Sequence, residues 1–246
     1  MNPSMLYGIG LIAIPVLLSL TLHEYGHARA AMAFGDNTAR LMGRVTLNPL
    51  AHLDLIGTLC LLFGPFGWAK PVPINPNNLH PRRLGQIVVS LAGVGMNLLL
   101  LLISAGLINI MAVLGVEVDP DPQSGASPIG IIVFMLSFTM IINLALIAFN
   151  LIPLFPLDGH HVVRELLPWN KRRGFMEFQL KYGRLVLLGL IFLPWLSEAI
   201  LKIPMINPIG LFLSSVIWPS ISALLGTRAE VLFYGAFEHY RPYLLW

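Results

Sequence analysis

Two histidines and a glutamate form the pattern in this sequence that could do chemistry. His23, Glu24 and His27 occupy an HExxH motif. On a helix, residues four apart lie about 40° apart around the axis, so both imidazoles can reach one ion. Glu24 lies beside that ion without ligating it, where its carboxylate can exchange protons with a water at the metal. The motif by itself indicates a candidate zinc site with a proton acceptor next to it.

A catalytic zinc takes three protein ligands and keeps one position for water, so a third ligand must come from a distant part of the chain. Asp158 is the leading candidate, because the prolines within 150–159 break the helix and would turn this carboxylate inward. His52, His160 and His161 are the competing candidates. Helix capping alone would also explain an aspartate at position 158.

Glu24 is the acidic residue beside the two histidines, and it lies in an apolar run. An ionisable side chain inside a membrane helix is costly, so function is the default explanation for it. The alternative is structural, with Glu24 satisfied by Arg29 or by a buried partner. We expect Glu24 to act as the general base.

The composition is that of a membrane protein. Apolar residues make up 56% of the chain and charged residues 11%, against roughly 25% charged residues in soluble domains. Several segments exceed the ~18 apolar residues that are needed to cross a bilayer. The net charge of +3 does not indicate nucleic-acid binding, since basic residues of membrane proteins collect in cytosolic loops. We therefore expect an all-α polytopic membrane protein with about four to six transmembrane helices.

The motif lies on the first of several predicted spanning helices. Asn97, in the second, is expected to be a buried interhelical hydrogen-bond partner rather than a catalytic residue. The fifth apolar run contains two prolines and either spans the membrane or lies at its surface. The predicted segments are Met5–Phe34, Leu84–Leu114, Ile129–Phe149, Leu185–Ile203 and Ile206–Leu225.

Residues 36–80 do not have the composition of a spanning helix. Residues 40–49 alternate in the manner of a short strand or hairpin, and several prolines follow within 71–76. Non-helical backbone at membrane depth is tolerated where it is buried in protein or lines water. We expect a re-entrant, β-hairpin-like segment that covers the site or presents an edge to an extended peptide.

The distribution of basic residues predicts the orientation in the membrane. Lysines and arginines follow the first and third predicted spans, and none lies between the second and third. The positive-inside rule then places 35–83 and 151–180 in the cytosol and 115–128 outside. His23 and Asp158 would both lie near the cytosolic side. We expect a multi-pass protein of the plasma or inner membrane whose active site faces the cytosol.

Several motifs occur together in this chain. The HExxH motif at 23–27 is followed far downstream by 150–159, which ends in Leu-Asp-Gly, and segments 43–54 and 67–73 lie between them. Over residues 5–170 this set resembles the site-2 protease family of intramembrane zinc metalloproteases. Two motifs in the right order are far more specific than either alone. The chain is similar to a small form of the family, without a PDZ or CBS domain.

That resemblance implies a zinc-dependent metalloendopeptidase with one zinc ion per chain. Its substrates would be membrane-spanning or membrane-associated proteins, cut as in regulated intramembrane proteolysis. The resemblance implies that the metal ligands are His23, His27 and Asp158 and that Glu24 is catalytic. It also implies that Asn150 contacts the substrate or stabilises the oxyanion, and we assign the same role to His52.

The expected partners are such a substrate and the lipid bilayer, with no nucleic acid and with homo-oligomerisation left open. Residues 1–246 are expected to form a single integral membrane domain, with a catalytic core at 5–170 and C-terminal membrane helices and tail at 180–246. The alternative function is a membrane zinc transporter or sensor without hydrolytic activity, and a silent scaffold is a third. Transporters offer ligands along a pathway, whereas here the polar groups are predicted to gather at one depth.

Overall fold

A computed structural model describes residues 3–57, 67–119, 127–197, 200, 202 and 207–240 of the chain. Every regular element within these ranges is helical. The helices are α1 (Pro3–Ala33), α2 (Thr38–Leu41), α3 (Arg82–Val113), α4 (Pro128–Asn150), α5 (Asp158–Leu166), α6 (Trp169–Phe178), α7 (Arg184–Leu196), α8 (Pro208–Leu224) and α9 (Thr227–Tyr240). Short 3-10 turns occupy Pro49–Ala51 and Pro76–Asn78, and a π-helical turn occupies Gln179–Gly183.

Among the described residues, three helices are long and apolar enough to cross a membrane, so the chain is an integral membrane protein. They are Gly8–Ala33 of α1, all of α3 and all of α4. The predicted count of four to six is not confirmed, because the described residues contain three such helices. Helix α8 has 17 residues and falls short of the ~20 that usually span. The predicted span over 185–203 lies partly outside the described residues.

The three spanning helices pack against one another around a shared core. Small residues allow the close approach of α1 and α3, since a Cβ added at Gly26 would lie 2.7 Å from the carbonyl oxygen of Ala92. Helices α8 and α9 cover the other side of α4. There Phe134 of α4 is fully buried and its ring lies 5.2 Å from that of Tyr240 in α9. The core therefore continues from the spanning helices into the C-terminal helices.

The segments between α1 and α3 contain no regular strand in the described ranges 34–57 and 67–81. Where the alternation of 40–49 predicted a strand, the chain instead forms α2 and then bends. The pairing that does occur is one antiparallel bridge between Leu53 and Ala69, with the Lys70 amide donating to the carbonyl oxygen of His52 at 2.8 Å. The predicted re-entrant hairpin is therefore not confirmed.

Asp36 explains why the chain turns at this point instead of extending. Its Oδ1 accepts hydrogen bonds from the amide and hydroxyl of Thr38, which favours a helical turn directly after α1. The carboxylate also accepts from the Asn75 amide at 2.7 Å and from the Asn78 side chain at 3.0 Å. Burial alone would raise the pKa of Asp36, but these hydrogen bonds lower it overall. Asp36 thus fastens the later segment to the end of α1.

Candidate metal centre

The structure brings together three side chains from α1 and α5. His23 and His27 lie one turn apart on α1 and are buried, and Asp158 is the first residue of α5. The Asp158 Oδ2 lies 3.3 Å from the Nε2 of His23 and 3.4 Å from the Nε2 of His27. The two Nε2 atoms are 3.0 Å apart. Two histidines of α1 and an aspartate far downstream in the sequence therefore present one ligand atom each to a single point.

The spacing of these three atoms fits a tetrahedral zinc ion. Ligand atoms about 2.0–2.1 Å from a tetrahedral centre lie roughly 3.3–3.4 Å from one another. The observed separations of 3.0, 3.3 and 3.4 Å are close to that value. The Asp158 Oδ2 is buried and accepts no hydrogen bond from the described residues. A nitrogen, nitrogen and oxygen donor set is one that zinc takes in catalytic sites.

The hydrogen bonds at Nδ1 of the two histidines, on the side away from the group of three, show which ring nitrogen carries the hydrogen. The Nδ1 of His27 lies 2.7 Å from the carbonyl oxygen of Val89, and the Nδ1 of His23 lies 2.6 Å from the Oδ1 of Asn97. Carbonyl oxygens only accept, so both Nδ1 atoms carry the hydrogen. The neutral imidazoles then direct bare Nε2 lone pairs at each other and at Asp158. A cation among the three atoms, either a metal ion or an added proton, removes the repulsion between these lone pairs.

A glycine on α3 makes room for the histidines. A Cβ added at Gly93 would lie 2.7 Å from the Cε1 of His23 and would collide with the Nε2 of His27. Gly95 is different, since a Cβ there would have no described atom within 4 Å. The small residues of α3 therefore serve the metal centre at position 93 as well as the packing of helices.

Glu24 lies beside the group of three and is held by the segment that follows α2. It is buried, and its Oε2 accepts a hydrogen bond of 2.8 Å from the backbone amide of Val72. Pro71 and Pro73 have no amide hydrogen, so Val72 supplies the single donor of this tripeptide. The hydrogen-bond partner of Glu24 is thus a buried backbone amide, which is one of the two partners that the structural alternative named beside Arg29. The carboxylate remains close to the metal ligands without being one of them.

The turn between α4 and α5 determines where Asp158 points. Gln179 holds this turn, donating from Nε2 to the Pro153 carbonyl at 2.8 Å and accepting at Oε1 from the Phe155 amide at 2.9 Å. Gly159 permits the close return of the chain, because a Cβ there would lie 2.7 Å from the Ile152 carbonyl oxygen. Asp158 is the first residue of α5 after the N-cap Leu157, and its Oδ2 accepts no hydrogen bond from the described residues. Its carboxylate is therefore available to the histidines.

A buried ion-pair cluster anchors the other end of α5. The carboxylate of Glu165 lies 2.9 Å from Arg164 and 2.9 Å from Arg172, and its backbone carbonyl accepts from Arg83 at 2.9 Å. Arg164 also donates to the Oε1 of Gln86 at 2.6 Å. These bonds connect α5 to α3 and α6. The helix that carries Asp158 is consequently fixed relative to the helix that accepts hydrogen bonds from the Nδ1 atoms of the histidines.

The two residues predicted at the substrate or oxyanion lie outside the group of three. The Nε2 of His52 is 2.9 Å from the Thr46 carbonyl oxygen, and the ring is buried in the segment after α2. The Nδ2 of Asn150 donates to the Leu146 carbonyl of its own helix at 3.0 Å. Their roles stay predictions.

His160 and His161, which competed with Asp158 for the place of third ligand, also lie outside the group. The ring of His160 is stacked on Phe175 with centroids 5.5 Å apart and is fully buried. Burial lowers the pKa of His160 to about 4, helped by the neighbouring charges of His161 and Arg164. His160 is accordingly an uncharged residue of the local core.

Three groups that hold the centre were not predicted from the sequence. They are the Val72 amide, the Gln179 side chain and Asn143, which donates and accepts next to Asn97. Asn143 is the one with a readable signal, because an isolated amide in an apolar helix needs a partner. Val72 and Gln179 give no such signal in the sequence. Nearly every residue has a backbone amide, and a polar glutamine is common next to a charged helix.

Comparisons with known proteins agree with this geometry. Peptidase family M50 matches residues 11–193. The chain is 36% identical over 212 residues, 86% of each protein, to "Putative zinc metalloprotease YwhC" of Bacillus subtilis (strain 168). It is 29% identical over 188 residues to "Putative zinc metalloprotease Rip2" of Mycolicibacterium smegmatis, covering 74% of this chain and 66% of that protein. No solved structure matches the chain significantly.

The matched region contains all three converging side chains and the glutamate beside them. The match extends over more than half of the chain, and the first relative is aligned over most of both proteins. The chain belongs to peptidase family M50, the site-2 protease family of zinc metalloproteases.

Proposed function

We propose that His23, His27 and Asp158 hold the single zinc ion of an intramembrane metalloprotease and that Glu24 is its general base. The observation that carries this proposal is the convergence of three bare acceptor atoms beside a buried carboxylate that is not one of them. The substrates are membrane-spanning or membrane-associated proteins, since the site lies on a helix that crosses the membrane.

Each of these residues has its own role in the proposed hydrolysis of the peptide bond. Zinc held by the three ligands supplies Lewis-acid polarisation of a water and of the scissile carbonyl. Glu24 accepts a proton from the attacking water and delivers it to the leaving amide nitrogen. Val72 binds the Oε2 of Glu24 and leaves the Oε1 free of that hydrogen bond, so we assign the contact with the water to Oε1. Asn150 and His52 are assigned to the substrate or the oxyanion.

The active site faces the cytosol in this proposal, in a plasma or inner membrane. The support is the charge pattern, since basic residues follow the first and third spans. Chain segments 1–246 form one membrane domain, and whether two copies associate is left open. A zinc transporter or sensor is not favoured, because the ligands meet at one point beside an unligated glutamate and the matched relatives are named metalloproteases.

Substitution of the general base tests the assignment. Glu24→Gln keeps the size of the side chain but cannot accept the proton, so cleavage of a membrane-spanning reporter peptide should fall by about 10²–10⁴-fold. Zinc content, measured by metal analysis of the purified protein, should stay at one ion per chain.

Glu177→Gln is the matched control, because Glu177 is exposed on α6 and pairs with Arg173. This variant should cleave at the wild-type rate. If Glu24→Gln also cleaves at that rate, Glu24 is not the base. A wild-type protein that binds no zinc would refute the ligand assignment instead.

A further inference from the structure

We infer that Asn143 is a positioning residue, which sets the orientation of the Asn97 amide and through it the ring tautomer of His23. The inference rests on the proposed zinc site. It concerns a chain of hydrogen bonds that runs from α4 through α3 to α1, behind the metal ligands.

The three polar side chains of this network lie where water does not reach. Ser19, Asn97 and Asn143 are each 0% exposed and belong to the three spanning helices. An unsatisfied amide or hydroxyl in such a place costs several kcal/mol. Each donor must therefore meet an acceptor, which restricts the directions that the hydrogen bonds can take.

The direction is determined at the end of the network that lies farthest from the metal. The Nδ2 of Asn143 lies 2.8 Å from the Thr139 carbonyl oxygen, which only accepts, so the nitrogen is assigned without ambiguity. The same Nδ2 donates to the hydroxyl of Ser19 at 2.9 Å, and that hydroxyl donates onward to the Pro15 carbonyl at 2.7 Å. The Oδ1 of Asn143 is left as an acceptor facing α3.

The second amide follows from the first. The Nδ2 of Asn97 donates to the Oδ1 of Asn143 at 2.7 Å and to the Ser19 carbonyl at 3.3 Å. Asn97 must then present its Oδ1 to the Nδ1 of His23, 2.6 Å away. His23 carries its hydrogen on Nδ1 as a result, and the lone pair of Nε2 faces the metal centre.

Without Asn143, the Asn97 amide could adopt either of its two orientations at nearly equal cost. A flipped Asn97 would donate to His23 and move the ring hydrogen to Nε2, which then could not ligate a metal. The long 3.3 Å bond to the Ser19 carbonyl would be the remaining opposition to the flip. Asn143 thus decides which nitrogen of His23 is available.

Asn109 provides a matched control on helix α3. Its side chain also bonds backbone groups, donating to Ala105 and Leu224 and accepting from the Gly226 amide, all within about 3.0 Å. It lies three turns beyond Asn97 along the helix and has no contact with the metal ligands. Asn109→Leu therefore reports the general cost of losing a buried amide.

The test uses the full chain in detergent micelles and measures zinc affinity by competition with a chelator. Asn143→Leu should weaken zinc binding about 10-fold or more, and Asn109→Leu should stay within about threefold of wild type. In the zinc-free protein, ¹⁵N NMR of the histidine rings should show hydrogen on Nδ1 of His23 in the wild type. It should show a mixture of tautomers in Asn143→Leu, a change that a merely structural role would not produce.

A second pair of variants covers the case in which Asn143→Leu does not fold. Asn143→Ala removes the same amide with a smaller side chain and should weaken zinc binding to a similar extent. Ser137→Ala removes a buried hydroxyl with no described hydrogen-bond partner and should leave the zinc affinity unchanged. Wild-type affinity and a wild-type tautomer in a folded Asn143→Leu or Asn143→Ala would overturn the inference. A wild-type chain without zinc would refute the proposed site itself.

Discussion

Glu24, the proposed general base, accepts its hydrogen bond from a backbone amide instead of a side chain. The Val72 amide donates to Glu24 at 2.8 Å, and the prolines on either side keep this stretch extended. A backbone donor cannot swing away as a lysine or arginine could. It also leaves the charge of the carboxylate in place, which an adjacent cation would partly neutralise. The position of Glu24 therefore depends on the path of the main chain at 71–73.

Removal of that one hydrogen tests its importance. Val72→Pro should lower kcat about 10- to 100-fold, because a hydrogen bond to a charged group contributes roughly 1.5–3 kcal/mol. Zinc content should not change, since Val72 is not one of the three ligand residues. The readout is cleavage of a membrane-spanning reporter peptide by purified protein.

Val72→Ala is the control, as it shortens the side chain but keeps the amide hydrogen. It should retain most of the activity. Equal rates for the proline and alanine variants would show that the bond to Glu24 has no part in catalysis.

At the scale of elements, the metal centre is a product of how three helices meet. Helix α1 carries both histidines, and oxygens of α3 accept hydrogen bonds from their Nδ1 atoms. Helix α5 brings Asp158 to their Nε2 atoms. Gly93 allows α3 to lie against the imidazoles, and the Glu165 cluster fixes α5 to α3. A displacement of α3 from α1 would therefore disturb the ligands even though α3 contributes none.

An added methyl group at this contact provides the test. Gly93→Ala places a Cβ where the rings of His23 and His27 lie, so the helices must separate or the rings must turn. Zinc affinity, measured against a competing chelator, should fall about 10-fold or more. Gly95→Ala adds the same methyl group into open space on the same helix and should bind zinc as the wild type does. Similar affinities for the two variants would contradict the role given to Gly93.

At the scale of the whole molecule, the spanning helices and the charge pattern together define an orientation. Helix α6 is basic and follows the turn that carries Asp158. The acidic residues Glu117 and Asp119 follow the spanning helix α3 at its C-terminal end. The positive-inside rule predicts that the first region is cytosolic and the second external. The metal centre, near the α5 end of the bundle, would then open toward the cytosol.

Single cysteines report this orientation directly. In a Cys60→Ala background, Arg173→Cys and Glu117→Cys place thiols at exposed positions of α6 and of the segment after α3. A membrane-impermeant maleimide should label Arg173→Cys in inside-out vesicles alone and Glu117→Cys in right-side-out vesicles alone. The reverse pattern would show that the active site faces the other compartment.

Patterns that depend on neighbouring residues were readable from the sequence. The spacing of His23 and His27 is a local property of a helix, and the apolar runs of α1, α3 and α4 reflect the thickness of the bilayer. Asn97 was expected to form interhelical hydrogen bonds, and its contacts with His23 and Asn143 confirm that. These features follow from periodicity and composition, which any short window of the sequence contains.

Directional contacts between distant residues required the tertiary structure. Sequence reasoning left Asp158 in competition with three histidines, and packing placed His160 against Phe175 instead of the metal. The alternation at 40–49 predicted a strand, but Asp36 binds the Thr38 amide just before this stretch and the chain turns into α2. The sequence by itself determined which residues could ligate zinc. Tertiary structure decided which of them meet, because their partners lie on other helices and each hydrogen bond depends on where those helices pack.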